Sequence, residues 1–262
     1  MTHPAYGIVR EVTPFASVLL EDNPGSMTLD GTNTWLLRAP GADGCVVVDP
    51  GYEDEPHLTR IIEAAGRIEA ILITHHHPDH VQGAPWLAKQ AAAPVRAFDA
   101  SLCLGGAPLV DGEGLVLAGL DIEVIHTPGH TTDSICLAID HNGQSAVVTG
   151  DTVLGRGTTV ISPPPDGDLG SYLDSLKTLA SRRGVVLPGH GPDLPDLTVI
   201  AAEYLAHREQ RLDQIRAALL TLGENATARQ VVELVYADVD HSLWGAAEWS
   251  VHAQLAYLRR RP

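Results

Sequence analysis

Positive charge is scarce in this 262-residue chain: 17 Lys and Arg stand against 33 Asp and Glu, a formal net charge of −16. Nucleic-acid binding usually rests on a basic footprint, so this balance argues against a general electrostatic grip on a polyanion, while leaving room for a local basic groove. Cysteine is nearly absent too, with residues only at Cys45, Cys103 and Cys136. An odd number without ligand spacing suggests neither a disulfide framework nor a zinc knot. Cys45 and Cys136 fall in apolar runs, where a cysteine acts as a small core side chain; the place of Cys103 stays open. No run of about 18 apolar residues marks a membrane span. The opening Met1-Thr2-His3-Pro4-Ala5-Tyr6 lacks the basic-then-apolar pattern of a signal peptide. A cytoplasmic protein without a membrane partner is therefore expected. Apolar content of 44% supports a real core, and the length fits one large domain with at most a small appendage.

Histidine, by contrast, is concentrated. Thr74-His75-His76-His77-Pro78-Asp79-His80 sets four histidines and an aspartate within six positions, directly after the apolar stretch Ile68-Glu69-Ala70-Ile71-Leu72-Ile73. Imidazole nitrogen and carboxylate oxygen suit zinc and its first-row neighbours. His75 and His77 lie two apart and can share one metal in an irregular loop; Asp79 and His80 are one turn further on, free to reach a second. His130, Asp151 and His190 each follow another apolar run, at 122–125, 146–148 and 185–187. Ligand-type residues at the ends of several strands are how an α/β scaffold builds a site on one edge. The remaining histidines fit this pattern poorly. His76 points away if the loop is extended, His126 suits a strand end, His141 a turn and His57 a helix start. His207, His241 and His252 fall in a helical tail, and His3 in the terminus.

The ordered set His75-X-His77-X-Asp79-His80, His130, Asp151 and His190 resembles the metallo-β-lactamase superfamily, over about residues 33–191. That resemblance implies an α/β fold, a four-layer αββα sandwich with the site at one edge of two sheets. It implies that His75, His77 and His130 hold a first metal, that Asp79, His80 and His190 hold a second, and that Asp151 bridges both. Two divalent ions are expected, zinc foremost, with iron or manganese also compatible because ligand affinity does not decide the metal in the cell.

Along the chain, residues 17–20, 34–37 and 45–48 read as strands, with a turn at Asn23-Pro24-Gly25. Helical spacing covers 57–66 and 81–92. Strands are expected at 71–73, 95–98, 116–120, 122–125, 134–139, 146–149 and 185–187. Asn142-Gly143 marks a tight hairpin. Residues 154–168 are loop-like, contain Pro163-Pro164-Pro165, and are placed to shape a substrate mouth; 169–181 returns to helix. Domains are expected at 1–196 and 197–262. In the second, residues 197–222, 228–237 and 243–261 read as helices, with Gly223 as a stop and Thr227 as an N-cap.

This tail resembles the small all-α, winged-helix-like domain of the β-lactamase-like protein 2 group. The matching stretches are His207-Arg208-Glu209-Gln210, residues 227–236, and Leu243-Trp244-Gly245-Ala246-Ala247 leading to Leu255. Asn23-Pro24-Gly25 with Leu29-Asp30-Gly31-Thr32-Asn33-Thr34 resembles that group as well. The chain leaves little room for a wing hairpin, which with the acidic balance argues against sequence-specific DNA binding. Beside the mouth or as a homodimer contact are the expected places for the tail, and Arg259-Arg260-Arg261 reads as a solvated helix end.

Two metals about 3.5–4 Å apart can share a water and lower its pKa toward neutrality, so the expected chemistry is hydrolysis by a metal-bridging hydroxide, with one metal polarising the substrate oxygen. Asp79 and Asp151 are the expected catalytic residues, with Asp49, Thr74 and Thr131 as candidates for fixing ligand geometry. Fold and ligands do not choose the bond. Resemblance to the β-lactamase-like protein 2 group implies single-stranded RNA cleavage, which the acidic composition disfavours; a small ester or thioester, as in glyoxalase II, is the alternative. A full ligand set is favoured over the one-iron persulfide chemistry of some relatives. It also exceeds what a structural zinc in a DNA-binding regulator needs.

Overall fold

The structure is a computed structural model that describes residues 3–162 and 164–260, without the side chains of Ser242 and Ala246. Met1, Thr2, Pro163 and Arg261, which carried parts of the expectations above, lie outside the described residues. The first sheet comprises β1 (Val9–Thr13), β2 (Ala16–Leu20), β3 (Asn33–Leu37), β4 (Gly44–Val48), β5 (Arg67–Leu72) and β6 (Val95–Arg96), in that spatial order. The second comprises β7 (Gly114–Leu117), β8 (Leu120–His126), β9 (Ile135–His141), β10 (Gln144–Gly150) and β11 (Val185–Pro188), ordered β11-β10-β9-β8-β7.

Strands β3 and β4 are buried on both faces, which is why 35–37 and 45–48 read as continuous apolar runs rather than alternating ones. Alternate residues serve different layers. Val46, Val48 and Leu72 meet Ile122, Val124, Leu137 and Val148 between the sheets. Cys45, Val47, Ile71 and Ile73 turn outward, against Leu58 and Ile61 of helix α1 (Glu55–Ala65) and Leu87 of a later helix. On the far side Ile125, Cys136, Val147 and Val186 lie under Tyr172 and Leu176 of the helix at 169–179 and Leu197 and Ala201 of the helix that follows. The result is the expected αββα sandwich. Three sheet pairings are parallel, β4–β5, β5–β6 and β10–β11, each crossed by helix. They bring the C-terminal ends of β4, β5, β10 and β11 to one edge, where β8 also ends.

Local readings shift in three places. The expected helix at 81–92 is two pieces: Pro78 opens a one-turn helix α2 (Pro78–Val81), and α3 (Ala84–Ala91) starts after Gly83. Gly83 packs on the 51–52 loop, donating its N–H to Gly51 O at 2.8 Å. The strand expected over 116–120 contains a turn: Ala118 and Gly119 both have positive φ, 49° and 73°, so the chain reverses between β7 and β8. Strand β6 stops at Arg96, short of Phe98, and β1 carried no signal. The Asn142-Gly143 hairpin falls where expected, with His141 paired to Gln144.

Helix α4 (Leu169–Leu179) covers the second sheet. Helix α5 (Leu197–Leu222) starts in the same layer, with Leu197, Ala201 and Tyr204, and ends in a separate small core with Ile215 and Ala218. That core is closed by Val231 and Val232 of α6 (Ala228–Val235) and Val251 and Leu255 of α7 (Trp244–Arg260). Gly223 stops α5, and Thr227 opens α6 with a reciprocal Thr227–Gln230 capping box. Helix α5 thus runs from the sandwich layer into the small core without a break. The basic helix end is not free: Arg259 Nη2 donates to Glu224 O and Ala226 O at 3.2 and 3.1 Å, and Arg260 pairs with Asp168 at 2.8 Å.

Candidate metal centre

The strand ends deliver their side chains to one point. After β5, His75 and His77 lie on an extended loop, and α2 turns Asp79 and His80 inward behind Pro78. His130 follows β8, Asp151 follows β10 and His190 follows β11. Backbone bonds fasten these ends together: Ile135 N donates to Thr74 O (2.9 Å), Gly189 N to Gly150 O (2.8 Å) and Asn33 N to Gly189 O (2.8 Å). Asn33 Nδ2 adds bonds to Pro188 O and Gly191 O at 3.0 and 2.8 Å.

The inner nitrogens crowd one another. His77 Nδ1 lies 3.1 Å from His75 Nε2 and 3.0 Å from His130 Nε2, and His80 Nε2 lies 3.2 Å from His190 Nε2. Asp79 Oδ2 is 3.2 Å from His190 Nε2 and 3.6 Å from His80 Nε2. Asp151 stands between the groups, its Oδ2 3.7 Å from His130 Nε2 and 3.5 Å from His190 Nε2, its Oδ1 3.6 Å from His80 Nε2. Among the described residues four sets have ligand atoms close enough for one ion: His75, His77 and His130; Asp79, His80 and His190; His75, His80 and Asp151; and, nearer the surface, His76, His77 and Asp166.

The outer nitrogens explain why the inner ones are free. His80 Nδ1 faces Asp49 Oδ2 at 2.8 Å, His130 Nδ1 faces Val160 O at 2.8 Å, and His190 Nδ1 faces Gly31 O at 3.1 Å. Each of these acceptors requires an N–H, which leaves Nε2 as an inward lone pair. Thr74 Oγ1 donates to Asp49 Oδ2 at 2.7 Å, so its oxygen accepts from His75 Nδ1 at 3.0 Å. Lone pairs facing each other at this range repel unless something positive lies between them. Four ligands at 2.0–2.1 Å around a tetrahedral ion would sit about 3.3 Å apart, close to the spacings found. Asp151 Oδ1 is also buried without a hydrogen-bond partner among the described residues. These features fit divalent metal.

The charge distribution agrees at His75, His77 and His130. Burial, with neighbouring imidazoles, holds His75 well below the usual histidine range and His77 at about 4, and burial lowers His130. All three are therefore neutral, as ligation requires. Burial opposes charge on His80 and His190 as well, but Asp49 and Asp151 raise the former, and Asp151 with Asp79 raises the latter. The carboxyls of Asp79 and Asp151 are held low despite burial, chiefly by His190 and His80.

All seven expected residues meet here, with Asp49 and Thr74 directly behind them. Thr131 is one step removed: its Oγ1 donates to Asp133 Oδ1 at 2.7 Å. His76 turns aside to Asp133 (2.8 Å) and Asp166 (3.3 Å). His126 ends β8 as expected and stacks half-buried on Phe98, centroids 3.9 Å apart. His57 is buried, its Nε2 2.9 Å from Thr34 Oγ1. The sequence reading missed Asp133, Asp166 and the loop carbonyl of Val160. Asp166 Oδ2 comes within 3.8 Å of His77 Nε2. Only the glycine- and proline-rich composition of 154–168 pointed to that loop.

An αββα sandwich with imidazoles and carboxylates gathered at one edge defines a class of metal-dependent hydrolase. Residues 27–190 match the metallo-beta-lactamase superfamily domain, residues 227–261 match the beta-lactamase associated winged helix domain, and the chain belongs to that superfamily of hydrolases. It is 33% identical to the beta-lactamase-like protein 2 homolog of Drosophila melanogaster, over 96% of this chain and 90% of the relative. It is 32% identical to the atrochrysone carboxyl ACP thioesterase of Aspergillus chevalieri, over 88% of this chain and 76% of the relative. A beta-lactamase domain protein from Burkholderia ambifaria has the same fold, with a TM-score of 0.80 at 24% identity, covering 99% of this chain and 90% of that one.

Proposed function

We propose that this chain is a binuclear hydrolase of thioesters or related esters. The observation that carries the two-metal reading is the set of inward nitrogens backed by outward N–H donors at His75, His80, His130 and His190. His75, His77 and His130 would hold one ion, Asp79, His80 and His190 the other, and Asp151 both; zinc is the expected metal, with iron or manganese compatible. When bound, the ions supply a water acidic enough to act near neutral pH and a Lewis acid for the substrate oxygen. The chain's own residues do the rest. Asp49 and Thr74 fix the His75 and His80 rings, and Val160 O fixes His130. Asp79, half-buried at the mouth, carries a carboxylate held in its charged form and able to orient the attacking water.

Two observations support a thioester over a polyanion. The mouth is acidic, with Asp133 and Asp166 against His76 and His77, and the whole chain carries −16; and a relative covering most of the chain is named as an ACP thioesterase. Single-stranded RNA cleavage is a second reading, favoured by the Arg208 and Arg211 guanidiniums beside loop 157–160. The unpaired cysteines suit a reducing compartment, and a cytoplasmic location is part of the proposal. The test loads the protein with two equivalents of metal and assays an acyl thioester against an end-labelled single-stranded RNA. Thioester turnover that falls at least a hundredfold in Asp79→Ala, in a variant that still folds, supports the reading; RNA cleavage lost in the same variant replaces it.

A further inference from the structure

Loop 157–160 has a second face. One side meets the metal centre, through Thr159 Oγ1 donating to Asp151 O (2.8 Å) and through Val160 O on His130. The other side walls a cavity of about 350 Å³ closed by the C-terminal helices, with His207, Arg208, Arg211, Ser250 and Gln254 around it. Five buried side-chain polar atoms lack a hydrogen-bond partner among the described residues, and three belong here: His207 Nδ1, Arg208 Nε and Gln254 Oε1. Arg208 is 3% exposed and Gln254 2%. Leaving such atoms unpaired is unfavourable, and native proteins rarely do so without a ligand, water or function to account for it. The larger cavity of about 440 Å³ beside Arg10 and Arg156 differs, because those cations are paired with Asp193 and Asp30.

The unpaired groups specify a ligand. Arg208 is fixed in place, one end of its guanidinium donating to Thr159 O and its carbon Cζ 5.0 Å from the Tyr172 ring centroid, with Nε left over. Arg211 stands over the Tyr236 ring at 4.8 Å, with Nη1 donating to the neutral Gln214 Oε1 at 2.9 Å and no carboxylate paired with it among the described residues. Two guanidiniums call for an oxyanion, and planar forks favour phosphate or carboxylate. Gln254 Oε1 is an acceptor, so the same ligand must also bring an N–H or O–H. A narrow arm with a phosphate at one end and amides or hydroxyls along it satisfies both. We propose that this cavity is a recognition subsite for the phosphate end of a pantetheine-type thioester arm. The identity of the arm rests on the thioester reading of the metal centre, while the cavity's need for an oxyanion and a donor does not.

The test uses the full, metal-loaded chain and one acyl thioester made on pantetheine with and without its phosphate. KM for the phosphorylated arm should lie roughly ten- to a hundredfold below that for the other, and Arg211→Gln should erase the difference. Gln254→Leu separates recognition from packing. A subsite predicts a raised KM, whereas a purely structural glutamine predicts an unchanged KM and equal or higher stability. Calorimetry with phosphopantetheine itself, without any thioester, gives an independent readout. Binding that depends on Arg211 without thioester turnover would sink the catalytic reading and keep the subsite. Turnover with the same KM for both arms would sink the subsite and keep the catalytic reading. Arg211-dependent binding of a single-stranded RNA, but not of the arm, would overturn the proposal in favour of an RNA contact.

Discussion

Asp49 holds no metal in the proposed assignment, yet three groups depend on it. Its Oδ1 accepts from Thr74 N at 2.8 Å, and its Oδ2 accepts from Thr74 Oγ1 at 2.7 Å and His80 Nδ1 at 2.8 Å. It does this from a left-handed backbone, φ 53°, that aspartate tolerates better than most residues. Asp49→Asn should therefore weaken metal binding by about ten- to a hundredfold with the fold retained; chelator competition measures it, and unchanged affinity would refute the role. The Asp49-Pro50-Gly51 turn was visible in the sequence, but its reach to His80, across 31 positions, was not, because only the parallel β4–β5 pairing brings them together. His57 is the opposite case, a histidine held for structure. Burial, with Arg60 nearby, pushes it down to about 4 from 6.5. The unfolded chain therefore takes up the proton first, so stability tied to the neutral ring is complete above pH 6.5 and lost as pH falls toward 4. His57→Gln should cost about 1 kcal/mol at neutral pH and flatten that acid-side decline. Denaturant midpoints at two pH values decide it, and an equally steep decline in the variant would argue against His57.

At the level of elements, turns govern where the side chains arrive. Gly129, φ 140°, sits one residue before His130, and a Cβ there would lie 2.4–2.5 Å from the Tyr172 backbone and Cβ. Gly129→Ala should force α4 and the His130 loop apart. The expected loss is about 1–3 kcal/mol, with weaker metal retention; a thermal melt and metal analysis read both, and a wild-type melt would count against the contact. The motif around Gly129 was legible because ligand residues cluster next to strand ends. The breaks at Gly83 and at Ala118-Gly119 were not, since helical and strand-like residues continue through both and only tertiary packing selects the interruption. The capping box at Thr227 shows the converse, a local device that the sequence states in full.

For the whole molecule, metal and fold should be thermodynamically linked, because the ligands come from four strand ends and converge only when both sheets are in place. Metal at a hundred times its Kd adds about 2.7 kcal/mol, which at roughly 2–4 °C per kcal/mol for this size makes chelation lower Tm by about 5–10 °C. A melt unmoved by chelator would deny that linkage. Candidate ligand positions were legible because histidine and aspartate fall next to apolar runs, and the αββα order came only with the family resemblance those residues carry, while the path of loop 154–168 was not legible, since it is set by the tail. Tyr204 Oη bonds Leu154 O and Gly157 O at 3.1 and 3.0 Å, and Arg208 reaches Thr159 O. The helices therefore grip the loop from outside, while the strands hold the metal residues from within. That division separates what inheritance must keep from what it is free to alter. Tail residues can drift and re-aim the loop, reaching the chemistry through the loop's backbone rather than through the metal-ligand candidates, so a lineage can change its substrate without passing through an ancestor that has lost its metal.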